Sequence, residues 1–174
     1  MANPQPFDIE IDKLTRSIEN AISGDSFKTD VFELTSDDLK RIKKSEWLFD
    51  WKYEAKQADK TIYKLVIEGN SRIIQGLISI QDRGDHIFMA LIESSKFNRG
   101  TDKLYFGVPG NLVAFACRLS FEKGYEGYVS FESKTKLKEH YQKTLGAHVL
   151  FGSVMAIDTK AAYKLVSRYF SENL

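Results

Sequence analysis

Gly107-Val108-Pro109-Gly110-Asn111 is the stretch whose residue types point most directly to binding chemistry. Two glycines bracket a proline and lead into Leu112-Val113-Ala114-Phe115-Ala116, an apolar run that reads as an amphipathic helix. The first turn of a helix leaves N–H groups without intrahelical partners, and the aligned peptide dipoles add partial positive charge there. Glycine lets an anion approach those donors without meeting a side chain. The loop is therefore a candidate seat for a phosphorylated ligand. It is not a P-loop, because no Gly-Lys-Ser/Thr follows, and Pro109 and Asn111 break the dinucleotide-binding spacing.

Other reactive residue types are isolated, which narrows the chemistry. Cys117 is the single cysteine, so no intrachain disulfide can form, and its place among Ala116 and Leu119 is that of a buried, inert thiol. Its use fits a reducing compartment. Met1 to Lys13 carries neither the basic nor the apolar region of a signal peptide, so a cytoplasmic location is expected. His86, His140 and His148 are too scattered for a metal-ligand pattern, and no metal is expected. His140 lies about 100° around a helix from its neighbour Tyr141, facing solvent or substrate. The lysines at 134, 136, 138 and 143 make a basic helix face. Net charge is +1, from 25 Lys/Arg against 24 Asp/Glu, so no bulk field favours nucleic acid or an anionic membrane, and neither partner is expected. No apolar run approaches membrane-spanning length.

These residues must be positioned by one domain of ordinary composition, with 174 residues, 43% hydrophobic and 28% charged. Ile11, Leu14, Ile18 and Ile22 recur at helical spacing and predict a helix over Ile11–Ser23, stopped by Gly24. A strand is expected near Val31–Leu34, and Thr35-Ser36-Asp37-Asp38 reads as a cap opening a helix to about Lys44. Part of the aromatic Trp47–Tyr53 stretch is expected to be a strand. Three strands follow, Thr61–Glu68, Arg72–Gln81 and His86–Glu93, joined by turns at Glu68-Gly69-Asn70-Ser71 and Asp82-Arg83-Gly84-Asp85. Apolar residues on both parities of the last two strands imply a sheet covered on both faces. After the irregular Ser94–Phe106 come the glycine turn, a helix stopping at Gly124 and a strand over Tyr128–Glu132. A helix over Lys136–Leu145, one strand over His148–Ile157 and a last helix capped by Asp158-Thr159 complete the chain.

A glycine turn placed directly after an antiparallel meander resembles the GNAT superfamily of N-acetyltransferases, over roughly residues 29–158. Two stretches carry the likeness. Gly107-Val108-Pro109 occupies the Gly-x-Gly/Ala slot ahead of a long helix ending in Lys123-Gly124-Tyr125. Lys136 to Ala147 resembles the helix in which a tyrosine precedes a Leu-Gly-Phe ending. The resemblance implies an α/β (α+β) fold with a mixed, mainly antiparallel sheet covered by helices on both faces. An extra N-terminal helix is expected in a 1–28 extension, ahead of an acyltransferase domain over 29–174.

The resemblance further implies acetyl-coenzyme A as co-substrate, held in a V-shaped gap between the parallel strands His86–Glu93 and Tyr128–Glu132. The pantetheine arm would pair with the backbone around Leu91, Ile92 and Glu93. The pyrophosphate would sit on the amides of Gly107, Val108, Gly110, Asn111 and Leu112. A substrate amine attacks the thioester directly in this superfamily. By position, Tyr141 is the candidate general acid for the leaving thiolate and Glu93 the candidate acceptor of the amine proton, against the alternatives of a core aromatic and a solvated strand-end charge. The diphosphate motif is degenerate, since Pro109 removes one N–H donor and Leu104 stands in the basic slot. Arg99-Gly100 resembles the missing pair but lies too far upstream. The aromatics Trp47, Phe49, Trp51 and Tyr53 are candidates for walling the acceptor site, with ordinary core packing as the alternative. Two functions follow: an N-acyltransferase acting on a small-molecule or protein amine acceptor, or a catalytically inactive GNAT-fold binding module. The oligomeric state is left open.

Overall fold

The computed structural model describes residues 6–170. In chain order the strands β1 (Ile18–Asn20), β2 (Ser26–Phe27) and β3 (Thr29–Glu33) precede the short helices α1 (Ser36–Arg41) and α2 (Trp51–Ala55). A meander of β4 (Thr61–Ile67), β5 (Gly76–Asp82) and β6 (Ile87–Ser94) follows. Next come β7 (Tyr105–Phe106), α3 (Val108–Glu122), β8 (Val129–Glu132) and α4 (Lys138–Leu145). The chain closes with β9 (His148–Phe151), β10 (Val154–Ile157) and α5 (Thr159–Tyr169).

Seven strands form one sheet in the order β3-β4-β5-β6-β8-β10-β9. Only β6 and β8 run parallel within it. A smaller sheet has the order β2-β1-β7. Strand alternation sends the two parities of the meander to different helices. Tyr63, Leu65, Ile78, Ile80 and Met89 pack in the core with Leu112, Phe115 and Ala116 of α3. Ile62, Leu77 and Leu91 pack instead with Ile42 and with Trp51 of α2. The fold is thus the mixed, mainly antiparallel sheet that the family resemblance implies, covered on both faces as the two-parity apolar pattern predicts.

Local signals set several helix ends. Thr35 accepts from the Asp38 amide while the Asp38 carboxylate accepts from the Thr35 amide, a reciprocal cap that starts α1. Asp158 accepts from the Ala161 amide and starts α5. Between α1 and β4, Asp38 also pairs with Lys64 at 2.8 Å, both side chains buried. No helix among the described residues is long and apolar enough to cross a membrane.

Three expectations need correction. The helix over Ile11–Ser23 is absent: the chain there is irregular, bends at Arg16 and Ser17, and then forms β1. Ser17 takes the left-handed conformation (φ 61), and the Asn20 side chain accepts from the Ile22 and Ser23 amides in a tight turn. Ile22, one of the residues that suggested the helix, is 94% exposed. Trp47–Tyr53 contains no strand, because Asp50 caps α2 by accepting from the Tyr53 amide. His148–Ile157 is a hairpin rather than one strand, folded back at Gly152 and Ser153.

Candidate active site

The parallel neighbours β6 and β8 pair only at Ile87↔Val129 and Phe88↔Ser130. Just beyond, β6 carries an extra residue: Ser79 of β5 stands opposite Leu91 and Ile80 opposite Met89, so Ala90 bulges. The bulge shifts the parity of the strand end, which is why Met89 and Ile92 share one core while Leu91 joins the other. The edge of β6 that faces β8 has no described backbone partner after Phe88. Leu91, Ile92, Glu93 and Ser94 line a cavity of about 340 Å³ beside it. Ser94 is buried, and its Oγ has no hydrogen-bond partner.

The opposite wall of that wedge is the N-terminal segment. The Phe7 amide donates to the Glu132 carbonyl at 2.6 Å, and the Lys134 amide donates to the Phe7 carbonyl at 3.1 Å. Phe7 thereby forms a parallel bridge with Ser133 at the end of β8. Its ring stacks on Phe131 with centroids 5.0 Å apart and meets Tyr141 edge-on at 6.5 Å. Phe7-Asp8-Ile9-Glu10-Ile11-Asp12 alternates apolar and acidic residues, and Phe7, Ile9 and Ile11 are the better-buried parity among residues 7–11. This is the period of an extended strand. That signal lies in the sequence one residue type at a time, and the helical spacing from Ile11 onward obscured it.

Tyr141 sits on α4 with no exposure, among Phe7 and Phe131. Its hydroxyl donates to the Ile9 carbonyl. Burial first, then the carboxylates of Asp8 and Glu10, push its ionisation upward, so the phenol stays protonated. The neighbouring His140 does not simply face solvent: its Nε2 accepts from the Ile11 amide at 2.8 Å. Glu93 is not a solvated strand-end charge either, being 2% exposed. Its carboxylate accepts from the Leu48 and Phe49 amides at 2.7 and 3.1 Å and from Trp51 Nε1 at 2.9 Å. Arg99 adds a contact at 3.3 Å. The aromatic stretch is therefore tied to the strand end through Glu93.

The start of α3 is packed from within the chain. Gly107, at φ 93, donates its amide to Asp12 Oδ1 at 3.2 Å, and Asp12 Oδ2 pairs with Lys103 at 2.8 Å. A Cβ on Gly107 would lie 1.9 Å from Thr15 Oγ1, and one on Gly110 would lie 2.1 Å from the Tyr169 hydroxyl. Both glycines thus admit side chains of this same protein. Val108, Pro109, Gly110, Asn111 and Leu112 are all buried. The Asn111 amide already donates to the Gly107 carbonyl, and its side chain donates to Thr29 Oγ1 at 2.9 Å. Cys117 is fully buried, and desolvation raises its thiol ionisation far above the ordinary range. Among the described residues no group of His, Cys, Asp and Glu could hold a metal ion.

No family profile matches the sequence, and a search of curated proteins finds no match. Solved structures do match in fold. One is a probable acetyltransferase of the GNAT family from Chromobacterium violaceum, with 11% identity, 92% of this chain and 97% of that chain covered, and a TM-score of 0.52. A second is a mutant AtaT toxin bound to the C-terminus of the antitoxin AtaR and acetyl-CoA, with 15% identity, coverage of 80% and 99%, and a TM-score of 0.51. A third is the KacTA–DNA complex, with 12% identity, coverage of 80% and 99%, and a TM-score of 0.54. The chain has a GNAT-like fold.

Measured against the ligand carried by such neighbours, the wedge divides into two parts. The open edge of β6, the adjoining cavity and the orphaned Ser94 hydroxyl fit an extended arm that pairs with backbone. The diphosphate seat does not fit in this arrangement, because Asp12, Thr15 and Tyr169 fill the space at Gly107 and Gly110.

Proposed function

We propose that this protein is an acyl-coenzyme A-dependent N-acyltransferase, transferring an acetyl group to an amine on a small molecule or a protein. The observation that carries this reading is the splay of β6 from β8 after two residue pairs, which leaves the Leu91–Ser94 edge free beside a cavity. The protonated Tyr141 on the helix over the wedge is the group best placed to supply a proton, once its hydroxyl is released from Ile9. Glu93 serves as an anchor for the Leu48–Trp51 wall, since its carboxylate is already surrounded by donors. Acetyl-coenzyme A at 100-fold above its dissociation constant is expected to stabilise the fold by about 2.7 kcal/mol. Release of free thiol in the presence of an amine panel reports turnover.

A second reading, a catalytically silent GNAT-fold binding module, is favoured by one observation: the Asp12 carboxylate already occupies the Gly107 amide. Absence of both thermal shift and thiol release at millimolar acetyl-coenzyme A, in the parent chain and in Asp12→Ala alike, selects this second reading.

A further inference from the structure

We infer that residues 7–12 are a built-in surrogate for the coenzyme, an intramolecular segment that lines the wedge and must leave it before an acyl-coenzyme A can be seated. This inference rests on the transferase reading of the same cleft. Coenzyme A presents an extended, amide-bearing arm joined to a diphosphate. The segment presents the same two features on the β8 side of the same wedge. Its extended part pairs with backbone through Phe7 at the end of β8, inside the wedge. Its anion, Asp12, sits on the first amide of the glycine loop ahead of α3, where a helix start favours negative charge.

One displacement would release the Tyr141 hydroxyl, His140 and the Gly107 amide together. The Ile9 carbonyl holds the Tyr141 hydroxyl, the Ile11 amide engages His140, and Asp12 engages Gly107 and Lys103. The segment is also clamped electrostatically, since Asp8 pairs with Lys134 at 2.7 Å and Lys136 at 3.5 Å. These contacts join residues about 90 to 130 positions apart in sequence. Glu93, by contrast, makes no contact with the segment through its carboxylate, whose partners are Leu48, Phe49, Trp51 and Arg99.

A closed state lowers apparent affinity by the fraction of molecules that are open, so weakening the closed state tightens binding without a new ligand contact. Acetyl-coenzyme A titrated calorimetrically into the full chain and into Asp12→Ala is expected to bind the variant at least about tenfold more tightly. In the parent chain, hydrogen exchange over residues 6–14 is expected to accelerate on addition of acetyl-coenzyme A, as the Phe7 and Ile11 amides lose their acceptors. Phe7→Ala, which withdraws the ring from Phe131 and Tyr141, supplies an independent variant should Asp12→Ala fail to fold by circular dichroism. Equal affinities in parent and variants, with exchange over 6–14 unchanged or slowed on binding, would overturn the surrogate and leave the transferase reading intact. No binding by the parent or by any folded variant would overturn the coenzyme reading and this inference together.

Discussion

Glu93 shows at the scale of one residue how a position suggestive of chemistry becomes structural. Two amides and an indole N–H converge on its carboxylate, which is 2% exposed. Removing a buried acceptor leaves its donors unsatisfied, at a cost of about 1–3 kcal/mol for each group. Glu93→Ala is therefore expected to lose at least about 3 kcal/mol in urea unfolding, whereas Glu93→Gln keeps an acceptor and loses less. Equal, small losses for the two variants would remove the anchoring role. Asp38 gives a pH-dependent counterpart. Its burial opposes ionisation, but hydrogen bonds from Lys64 and from the backbone and side chain of Thr35 outweigh burial and hold the carboxyl below its ordinary value. A lowered folded-state value means that the stabilisation is complete above about pH 4 and is lost as pH falls through the folded value. Acidification below about pH 4 should thus lower the urea midpoint of the parent more steeply than that of Asp38→Asn. Parallel profiles would contradict the assignment.

At the scale of elements, the junction between the N-terminal segment and α3 is where backbone conformation and packing coincide. Gly107 combines a left-handed φ of 93 with Thr15 Oγ1 at 1.9 Å from the place a Cβ would take. Gly107→Ala is expected to destabilise by about 1–3 kcal/mol through backbone strain, with the clash added to it. Thr15→Ala in the same chain should relieve the Oγ1 clash and leave the strain and the tighter contact with the Ser17 carbonyl, which thermal melts of the single and double variants would separate. Most elements were legible because local rules and tertiary packing agree in them: the Thr35 box and the Asp158 cap appear where the residues predict, and so do the strands of the meander, although the one expected from Arg72 starts at Gly76. Disagreement came where two periods overlap. Ile11, Leu14, Ile18 and Ile22 satisfy a helical spacing, yet Phe7 to Asp12 satisfies a strand spacing, and the free edge of β8 decides for the strand. The Gly152-Ser153 turn was equally readable as a hairpin signal, but the apolar residues on either side look continuous. For the site, the positions of Tyr141 and Glu93 on their elements were readable, while their partners were not. The Ile9 carbonyl and the Leu48 amide are backbone groups brought in over long separations, and side-chain patterns carry no trace of them.

The whole molecule joins a GNAT-like scaffold to a segment whose apolar side chains pack into its core. Phe7, Ile11 and Ile18 are buried with the residues of α3, β8 and α4 in one cluster. The exposed β9, with all four residues open to solvent, makes one margin of the large sheet and β3 the other. Closure of the wedge also has a consequence for the order in which the molecule is made. Residues 7–12 leave the ribosome well before their hydrogen-bond partners at Glu132, Lys134, His140 and Tyr141, which emerge more than a hundred residues later. This segment consequently waits, without those partners, until the rest of the scaffold is synthesised, and docks among the last.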